Sequence, residues 1–324
     1  MSTPPHHLVS TDQPGGDDSD RVVEHSSQVL QRQSQSFPLA SLFLASKRRD
    51  DAAVLYALCR LIDDVADEAR HPGQATDELQ RLDAELRRRQ PPRPLVRHFL
   101  AMADRRQLKL DYIFELIRGV QSDLQAVRSE DDDELLRYCY RVAGTVGAMM
   151  CAVLDVDDPR GRAHAIDLGI GMQLTNICRD VGEDTRRNRV YIPAERLRDI
   201  GVTQKQLVDG DVCGTTLAPV IDDLLDLADS YYDSADAGMR YIPIRSRLAI
   251  VVASRLYRAI GVRIRRRRID VTADPDDVPA PIRTFWVAVA IVAWMRLSLV
   301  AFRDREHHSR LHRPIRGLPG TSPS

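Results

Sequence analysis

Two stretches of the chain place carboxylates four residues apart inside an apolar, helix-forming pattern. The first spans 56–68 and reads YALCRLIDDVADE. Wound at 100° per residue, one face of about 60° carries four of its polar residues: Tyr56, Arg60, Asp63 and Asp67. Like charges at this spacing destabilise a helix by about 0.2–0.5 kcal/mol per pair. A compensating cation is therefore expected beside them.

The second stretch spans 173–184 and reads QLTNICRDVGED. The same winding gathers two amides and two carboxylates within about 80°: Gln173, Asn176, Asp180 and Asp184. If the two helices face each other, hard oxygen ligands line one cavity. Such ligands suit Mg²⁺, whose remaining positions are often filled by substrate phosphates. The two stretches together predict a divalent-metal site that holds a phosphate group.

Arginines are interleaved with these acids: Arg60, Arg179, Arg186, Arg187 and Arg189. A guanidinium can bind phosphate oxygens bidentately. Mg²⁺ and arginine together would neutralise the charge on a departing diphosphate, leaving a carbocation in an apolar cavity. The small and apolar residues of 141–150 and 166–172 could line that cavity.

A single acidic motif of this kind is more often a solvated helix face, and other charged runs have simple interpretations. The acids at 131–134 are expected to favour the dipole at a helix start. The arginines at 265–268 are interpreted as a solvated stripe. His307 and His308 are placed in a polar tail without a metal-ligand set around them. The pairing of two acidic stretches is what favours a site.

The composition gives no general reason to expect a nucleic-acid partner, because 46 basic residues balance 47 acidic ones over 324 residues. A chain of this length can bury a core with a cleft, in one large domain or two smaller ones. The five cysteines are widely spaced and form no C-x-x-C pair. They are interpreted as free thiols in a reducing compartment, which predicts a cytoplasmic protein.

Both ends of the chain, 1–30 and 306–324, are polar and are expected to be a disordered leader and a disordered tail. The leader shows no apolar core of a secretory signal. The stretch 285–302 is nearly apolar but contains Arg296. A central arginine disfavours membrane insertion by about 2.5–3.5 kcal/mol, so a buried core helix is expected, with peripheral membrane contact left open.

Helix-period patterns dominate the chain, and no comparable run alternates with a period of two. The breaks between them are short, as at 91–94, 155–161 and 272–281. Helices joined by short connections pack consecutively. The prediction is an all-α fold, one large helical bundle over 31–305 with a central cavity.

Five stretches in order resemble the squalene and phytoene synthases, which are head-to-head prenyl transferases. They are SQSFPLAS (34–41), YALCRLIDDVADE (56–68), YCYRVAGTVGAMM (138–150), QLTNICRDVGEDTRRNRVYIP (173–193) and SRLAIVVASRLY (246–257). The third stretch and the D-V-G-E-D of 180–184 look closest to the bacterial phytoene synthases. The resemblance implies an isoprenoid synthase type of bundle, with the acidic helices facing each other.

The implied reaction joins two geranylgeranyl diphosphates through prephytoene diphosphate to phytoene, releasing diphosphate, in carotenoid biosynthesis. No NADPH is expected. A squalene or dehydrosqualene synthase using two farnesyl diphosphates stays an alternative, because cavity depth sets chain length. Elongating prenyl synthases and terpene cyclases fit 180–184 poorly. A non-catalytic helical scaffold is disfavoured because the acids are all present.

The resemblance also implies residue roles. Metal ligands for Mg²⁺, or for Mn²⁺ in its place, would be Asp63, Asp67, Asn176, Asp180 and Asp184, with Asp64 as a helper. Catalytic residues would be the four aspartates together with Tyr56 and Tyr257. Substrate-binding residues would be Ser34, Phe37, Arg60, Tyr138, Gln173, Asn176, Arg179, Arg189 and Tyr191. The partner is a prenyl diphosphate, and the oligomeric state is not indicated. The acidic, proline-rich insertion 269–281 departs from the family, so no role is transferred beyond 268.

Overall fold

The computed structural model describes Ser26, Leu44 and the ranges 46–69, 71–267, 271–272 and 307–321. Nearly all regular structure in these ranges is helical, which confirms the predicted all-α fold. The α-helices are α1 (Ser46–Glu68), α2 (Pro72–Leu86), α3 (Pro94–Arg106), α4 (Asp111–Ser122), α5 (Asp132–Cys139), α6 (Thr145–Val153), α7 (Pro159–Arg179), α8 (Val181–Arg186), α9 (Ala194–Asp199), α10 (Gln204–Asp209), α11 (Gly214–Gly238) and α12 (Ile244–Arg267).

Three short helical turns and one small sheet complete the fold. A π-helical turn, Tyr140–Gly144, joins α5 to α6 without a break, and 3₁₀ turns cover Met239–Tyr241 and Ser309–His312. The two-residue strands β1 (Val127–Arg128) and β2 (Arg189–Val190) pair in parallel. This pairing ties the end of α4 to the segment after α8, and both segments border the central cavity.

Helix α7 lies at the centre of the bundle and packs against α6, α11 and α12. Asp158 caps its start by accepting the Arg160 amide, and Pro159 occupies the first turn, where a missing N–H costs nothing. Its contact with α6 and the π-helical turn is backbone to backbone, since a Cβ added at Gly147 or Gly169 would overlap a carbonyl of the facing helix. Glycine at these two positions therefore lets the two helices approach closely.

The second acidic stretch, 173–184, is not one continuous helix, although the predicted shared face treated it as one. Helix α7 ends at Arg179, Asp180 takes φ −102° and ψ 16°, and α8 begins at Val181. The amide of Asp184 still donates to the carbonyl of Asp180 at 2.9 Å. The junction therefore bends the chain but keeps the two carboxylates one turn apart.

The predicted disordered tail is wrong over 307–321, which pack on the bundle. Ile315 is fully buried, and the Tyr231 hydroxyl donates to the Leu311 carbonyl at 2.9 Å. Gly317 and Gly320 have φ of +88° and +77°, which lets the segment turn back on itself. Its polar composition concealed the apolar residues and the backbone carbonyls that dock it.

Several sequence predictions lie outside the described residues: Ser34, Phe37, the insertion 269–281 except 271–272, the helix expected at 285–302 and the leader 1–30 except Ser26. The boundaries of the predicted domain stay a prediction. Within the ranges that the structure describes, no helix has the length and apolar character needed to cross a membrane.

Candidate active site

The bundle encloses a central cavity with two parts of contrasting chemistry. The acidic chamber, of about 260 Å³, is lined by Arg60, Asp63, Ala66, Asp67, Val120, Asp123, Tyr138, Val142, Gln173, Asn176, Ile177, Asp180, Glu183, Asp184, Arg187, Arg189 and Tyr191. The apolar chamber, also about 260 Å³, has a wall made mainly of aliphatic side chains, glycines and methionines from α1, α6, α7, α11 and α12. Val142, Gln173 and Asn176 border both chambers.

The structure brings most of the predicted site residues together. Ten of them line the acidic chamber: Arg60, Asp63, Asp67, Tyr138, Gln173, Asn176, Asp180, Asp184, Arg189 and Tyr191. Tyr56 and Tyr257 line the apolar chamber. Arg179 lines neither; its Nε and Nη2 each lie 2.6 Å from an oxygen of Asp180. Asp64 is also on neither wall and pairs with Arg60 at 2.5 Å.

Asp63 projects from α1 into this chamber, where its ionisation is disfavoured. Burial raises the pKa of the Asp63 carboxyl to about 7, and repulsion from Asp67 adds to the increase against the lowering effect of Arg60. In the absence of another cation, part of this group is protonated at neutral pH.

Asp184 on α8 shows the same behaviour from the opposite wall. Burial raises the pKa of its carboxyl to about 8, and the neighbouring Asp180 contributes further repulsion, while Arg189 lowers it. Burial therefore favours the protonated form of two carboxyls on opposite walls of the chamber, and a divalent cation would compete with those protons.

Asn176 gives an independent indication of a ligand. Its Oδ1 atom is buried and has no hydrogen-bond partner among the described residues, while its Nδ2 lies 3.4 Å from Gln173 Oε1. A buried oxygen without a donor is costly, because it has lost water and gained nothing. An amide oxygen beside several carboxylates is a donor set that fits a hard divalent cation.

Asp123 is a site residue that the sequence did not reveal. The residue follows the end of α4, and the hydroxyls of Tyr138 and Tyr191 donate to its two oxygens at 2.9 and 2.8 Å. Burial raises the pKa of its carboxyl to about 6, although the hydrogen bond from Tyr191 lowers it. The tyrosine rings stack with centroids 4.4 Å apart. Asp123 lacks an acidic residue one turn away, so helical spacing gave no signal for it.

Three arginines line the acidic chamber and already pair with carboxylates. Arg187 and Arg189 both reach Asp67 Oδ1, at 2.9 and 3.1 Å, from the segment after α8. The Nε atom of Arg60 is buried and lacks a hydrogen-bond partner within the described part of the chain. Guanidinium groups at these positions can accompany an anionic ligand that approaches the carboxylates.

Comparison with known proteins places this geometry in a family. A sequence model of the squalene/phytoene synthases matches residues 30–285. The chain is 36% identical to the 15-cis-phytoene synthase of Enterobacter agglomerans, over 71% of this chain and 82% of that protein. It is 39% identical to the 15-cis-phytoene synthase of a Paracoccus species, over 76% and 83% of the two chains.

A solved structure shares the fold. The crystal structure of a dehydrosqualene synthase in complex with a ligand superposes with a TM-score of 0.76 at 24% identity, covering 86% of this chain and 98% of that one. With the family match over most of the sequence, these findings confirm the resemblance seen in the acidic stretches. The chain belongs to the squalene/phytoene synthase family.

Proposed function

We propose that the protein condenses two geranylgeranyl diphosphates head to head, through prephytoene diphosphate, to phytoene with release of diphosphate, as a step in carotenoid biosynthesis. The observation that carries this proposal is the junction of the two chambers. Carboxylates with raised pKa values stand at one end of a cavity whose other end is apolar. The relatives named as phytoene synthases support this substrate over farnesyl diphosphate.

The apolar chamber has the length that a long isoprenoid chain needs. Its wall on α7 extends from Asn176, at the acidic end, to Gly161. Fifteen residues of helix correspond to about 22 Å. A prenyl chain in this chamber would leave its diphosphate beside the carboxylates, and the aliphatic wall would keep water from a carbocation.

The acidic chamber would hold Mg²⁺, or Mn²⁺ in its place, through Asp63, Asp67, Asn176, Asp180 and Asp184. When bound, the metal would neutralise charge on the departing diphosphate. Arg60 and Arg189 would bind diphosphate oxygens beside Gln173, and Tyr138 and Tyr191 would border the substrate while they hold Asp123 in place. Tyr56 and Tyr257 stand at the apolar wall, where their hydroxyls would face the reacting carbons.

Several finer assignments belong to the same proposal. Arg179 would act through Asp180, which it orients bidentately, and Ser34 and Phe37 would border the substrate from the N-terminal side. We expect a cytoplasmic enzyme that contacts membrane surfaces peripherally, because the product is a hydrocarbon. A nucleic-acid partner and NADPH are not part of the proposed reaction.

Product analysis tests the proposal directly. The purified protein is incubated with Mg²⁺ and either geranylgeranyl or farnesyl diphosphate, with and without NADPH, and the hydrocarbons are separated by chromatography and identified by mass. Phytoene formed from geranylgeranyl diphosphate without NADPH supports the proposal. Squalene as the main product would overturn it.

A further inference from the structure

A second buried acid, outside the acidic chamber, holds the C-terminal segment 307–321 on the bundle. Asp167 lies in the middle of α7 with no exposed side-chain surface. His307 Nε2 lies 2.8 Å from its Oδ2, His312 Nε2 lies 2.8 Å from its Oδ1, and Ser234 Oγ donates to Oδ2 at 2.5 Å. Both carboxylate oxygens are therefore engaged, and two of the three partners come from a segment about 140 residues away.

Ser234 connects this acid to the wall of the apolar chamber. Because its hydroxyl donates to Asp167, it accepts from His164, whose Nδ1 lies 3.0 Å away. His164 lines the apolar chamber, stacks on Tyr241 and meets the edge of His307. A Cβ added at Gly238 would overlap the His164 side chain, so the imidazole sits in a closely fitted position.

The position of His164 along α7 places it far from the metal ligands. Twelve residues separate it from Asn176, which corresponds to about 18 Å of helix. Met239 and Ile242 line the same region of the chamber. A prenyl chain whose diphosphate lies in the acidic chamber would reach this region with its last isoprene unit.

The same segment also anchors another wall of the chamber. The Tyr140 hydroxyl donates to the Pro319 carbonyl at 2.5 Å, and Tyr140 begins the π-helical turn. Val142 and Ala143, in that turn, line the apolar chamber. Segment 307–321 therefore braces the chamber from outside at two places, His164 and the π-helical turn.

We propose that segment 307–321 is a clasp, closed by Asp167, His307 and His312, that fixes the far wall of the apolar chamber and so sets which prenyl chain length the enzyme accepts. This proposal rests on the proposed function for the identity of the substrates. The residues of the clasp are positioning residues, since they act on the substrate through His164 and the π-helical turn.

The test compares substrate preference in clasp variants. In His307→Ala/His312→Ala, we expect kcat/KM for geranylgeranyl diphosphate relative to farnesyl diphosphate to fall about tenfold, which is the lower end of what one apolar-pocket contact contributes to discrimination. The Mg²⁺ concentration giving half-maximal rate should not change. His312→Gln, which keeps a donor in place of Nε2, should retain the wild-type preference.

Two controls separate the clasp from a general loss of structure. His308 is the exposed neighbour of His307, and His308→Ala should behave as the wild type. Ser234→Ala cuts the connection between Asp167 and His164 without touching the segment, and it should lower the preference even if the double variant does not fold. Amide hydrogen exchange over 307–321 should rise in the double variant and stay low in Ser234→Ala.

Three outcomes would overturn the clasp. One is an unchanged preference in Ser234→Ala and in a double variant whose segment is released. Another is a double variant in which amide hydrogen exchange over 307–321 stays as low as in the wild type. The third is stoichiometric Zn²⁺ in the purified protein that is lost in His312→Ala, because the three side chains would then be metal ligands. The wild-type enzyme could instead prefer farnesyl diphosphate while the clasp variants still change the preference. That result would refute the proposed substrate but support the role of the clasp.

Discussion

Helix α7 contributes to two buried acidic centres with opposite electrostatics. At its C-terminal end, burial and mutual repulsion raise the pKa of Asp63 to about 7 and that of Asp184 to about 8. In its middle, burial acts on Asp167 in the same direction, but hydrogen bonds from His307 and His312 hold the pKa of that carboxyl below its usual value. In the first centre neighbouring carboxylates repel one another, whereas the carboxylate of the second is satisfied by hydrogen bonds from the chain itself.

The difference comes from the donors that each centre receives. The Asp167 carboxylate accepts from three donors, which are Ser234, His307 and His312. Asp63 is surrounded by Asp64, Asp67 and Asp123, and the unpartnered oxygen of Asn176 points to the same deficiency of donors or cations. A buried charge without compensation destabilises a fold, so we infer that the acidic chamber is kept for a ligand and that the Asp167 centre holds segment 307–321 in place.

Removing a carboxylate from the acidic chamber should have the largest effect. We expect Asp63→Ala or Asp180→Ala to lower turnover about a thousandfold or more, because several kcal/mol of charge stabilisation would be lost. Product formation measures the loss, and circular dichroism should show an intact helical fold. Asp133→Ala removes an exposed acid in the first turn of α5 and should keep full activity. Full activity in either chamber variant would refute the metal assignment.

Replacement of aspartate by asparagine should affect the free energy of unfolding differently in the two centres. Asp167→Asn weakens a charged hydrogen-bond network, and we expect it to lower the free energy of unfolding by about 3 kcal/mol. Asp63→Asn removes a poorly compensated carboxyl and should leave the metal-free protein unchanged or more stable. Urea unfolding in a chelating buffer measures both variants. Equal losses of stability would show that the Asp63 and Asp167 carboxyls contribute to folding stability in the same way.

The pH dependence of stability should follow the raised pKa values. Asp63 and Asp184 bind more protons in the folded state than in the unfolded state, so their favourable contribution is complete below about pH 4 and is lost as the pH rises through about 7 and 8. The metal-free protein should therefore become less stable between pH 5 and 8. Melting temperatures in chelator and in excess Mg²⁺ test this, since Mg²⁺ should reduce the decline. A rise in metal-free stability across this range would contradict the assignment.

Asp167 should act in the opposite direction and at lower pH. Because the pKa of its carboxyl is lowered, its contribution is present above the unfolded value of 3.8 and is lost as the pH falls below that value. In Asp167→Asn, the acid limb of the stability profile should become shallower while the decline between pH 5 and 8 stays. If this substitution instead abolished the decline between pH 5 and 8, the two centres would titrate together.

The smallest effect is expected at the tyrosines that hold Asp123. Tyr138→Phe removes one hydrogen bond to this carboxyl, and we expect a loss of about 1 kcal/mol, or a five- to tenfold lower kcat/KM. A double-mutant cycle with Asp123→Asn isolates the contact, because the tyrosine substitution should have little effect when the carboxylate is absent. Fully additive losses would show that the tyrosine acts independently of Asp123.

The sequence predicted site residues that share one helix, and it missed those that come together only when distant segments of the chain pack against each other. Asp63 and Asp67 share a helix face, so spacing alone brought them together. Asp123 enters the chamber only because the pairing of β1 with β2 draws the end of α4 beside Tyr191. No periodicity within one segment contains that information.

The C-terminal segment shows the same limit. Leu311, Ile315 and Leu318 recur three or four residues apart in a polar stretch, which was a sign of a packed turn. Their docking depends on Asp167 and Tyr231, far away in the chain. His307 was interpreted as lying in a polar tail without a metal-ligand set around it, and this interpretation is wrong: His307, His312 and the buried Asp167 bring three potential ligand atoms together. Asp167 lies about 140 residues earlier in the chain, so no local pattern indicated it.

The π-helical turn Tyr140–Gly144 makes the length of this helix as important as its composition. A π turn accommodates one additional residue and so sets how the helix after it is rotated relative to the helix before it. Tyr138 precedes the turn and faces the acids, whereas Gly147 follows it and meets the backbone of α7. Deleting one residue inside the turn would restore a regular α-helix and keep both alignments, whereas deleting one of the α-helical residues between the turn and Gly147 would rotate Gly147 away from α7 by about 100°. A one-residue deletion should therefore be tolerated within 140–144 and excluded from 145–147.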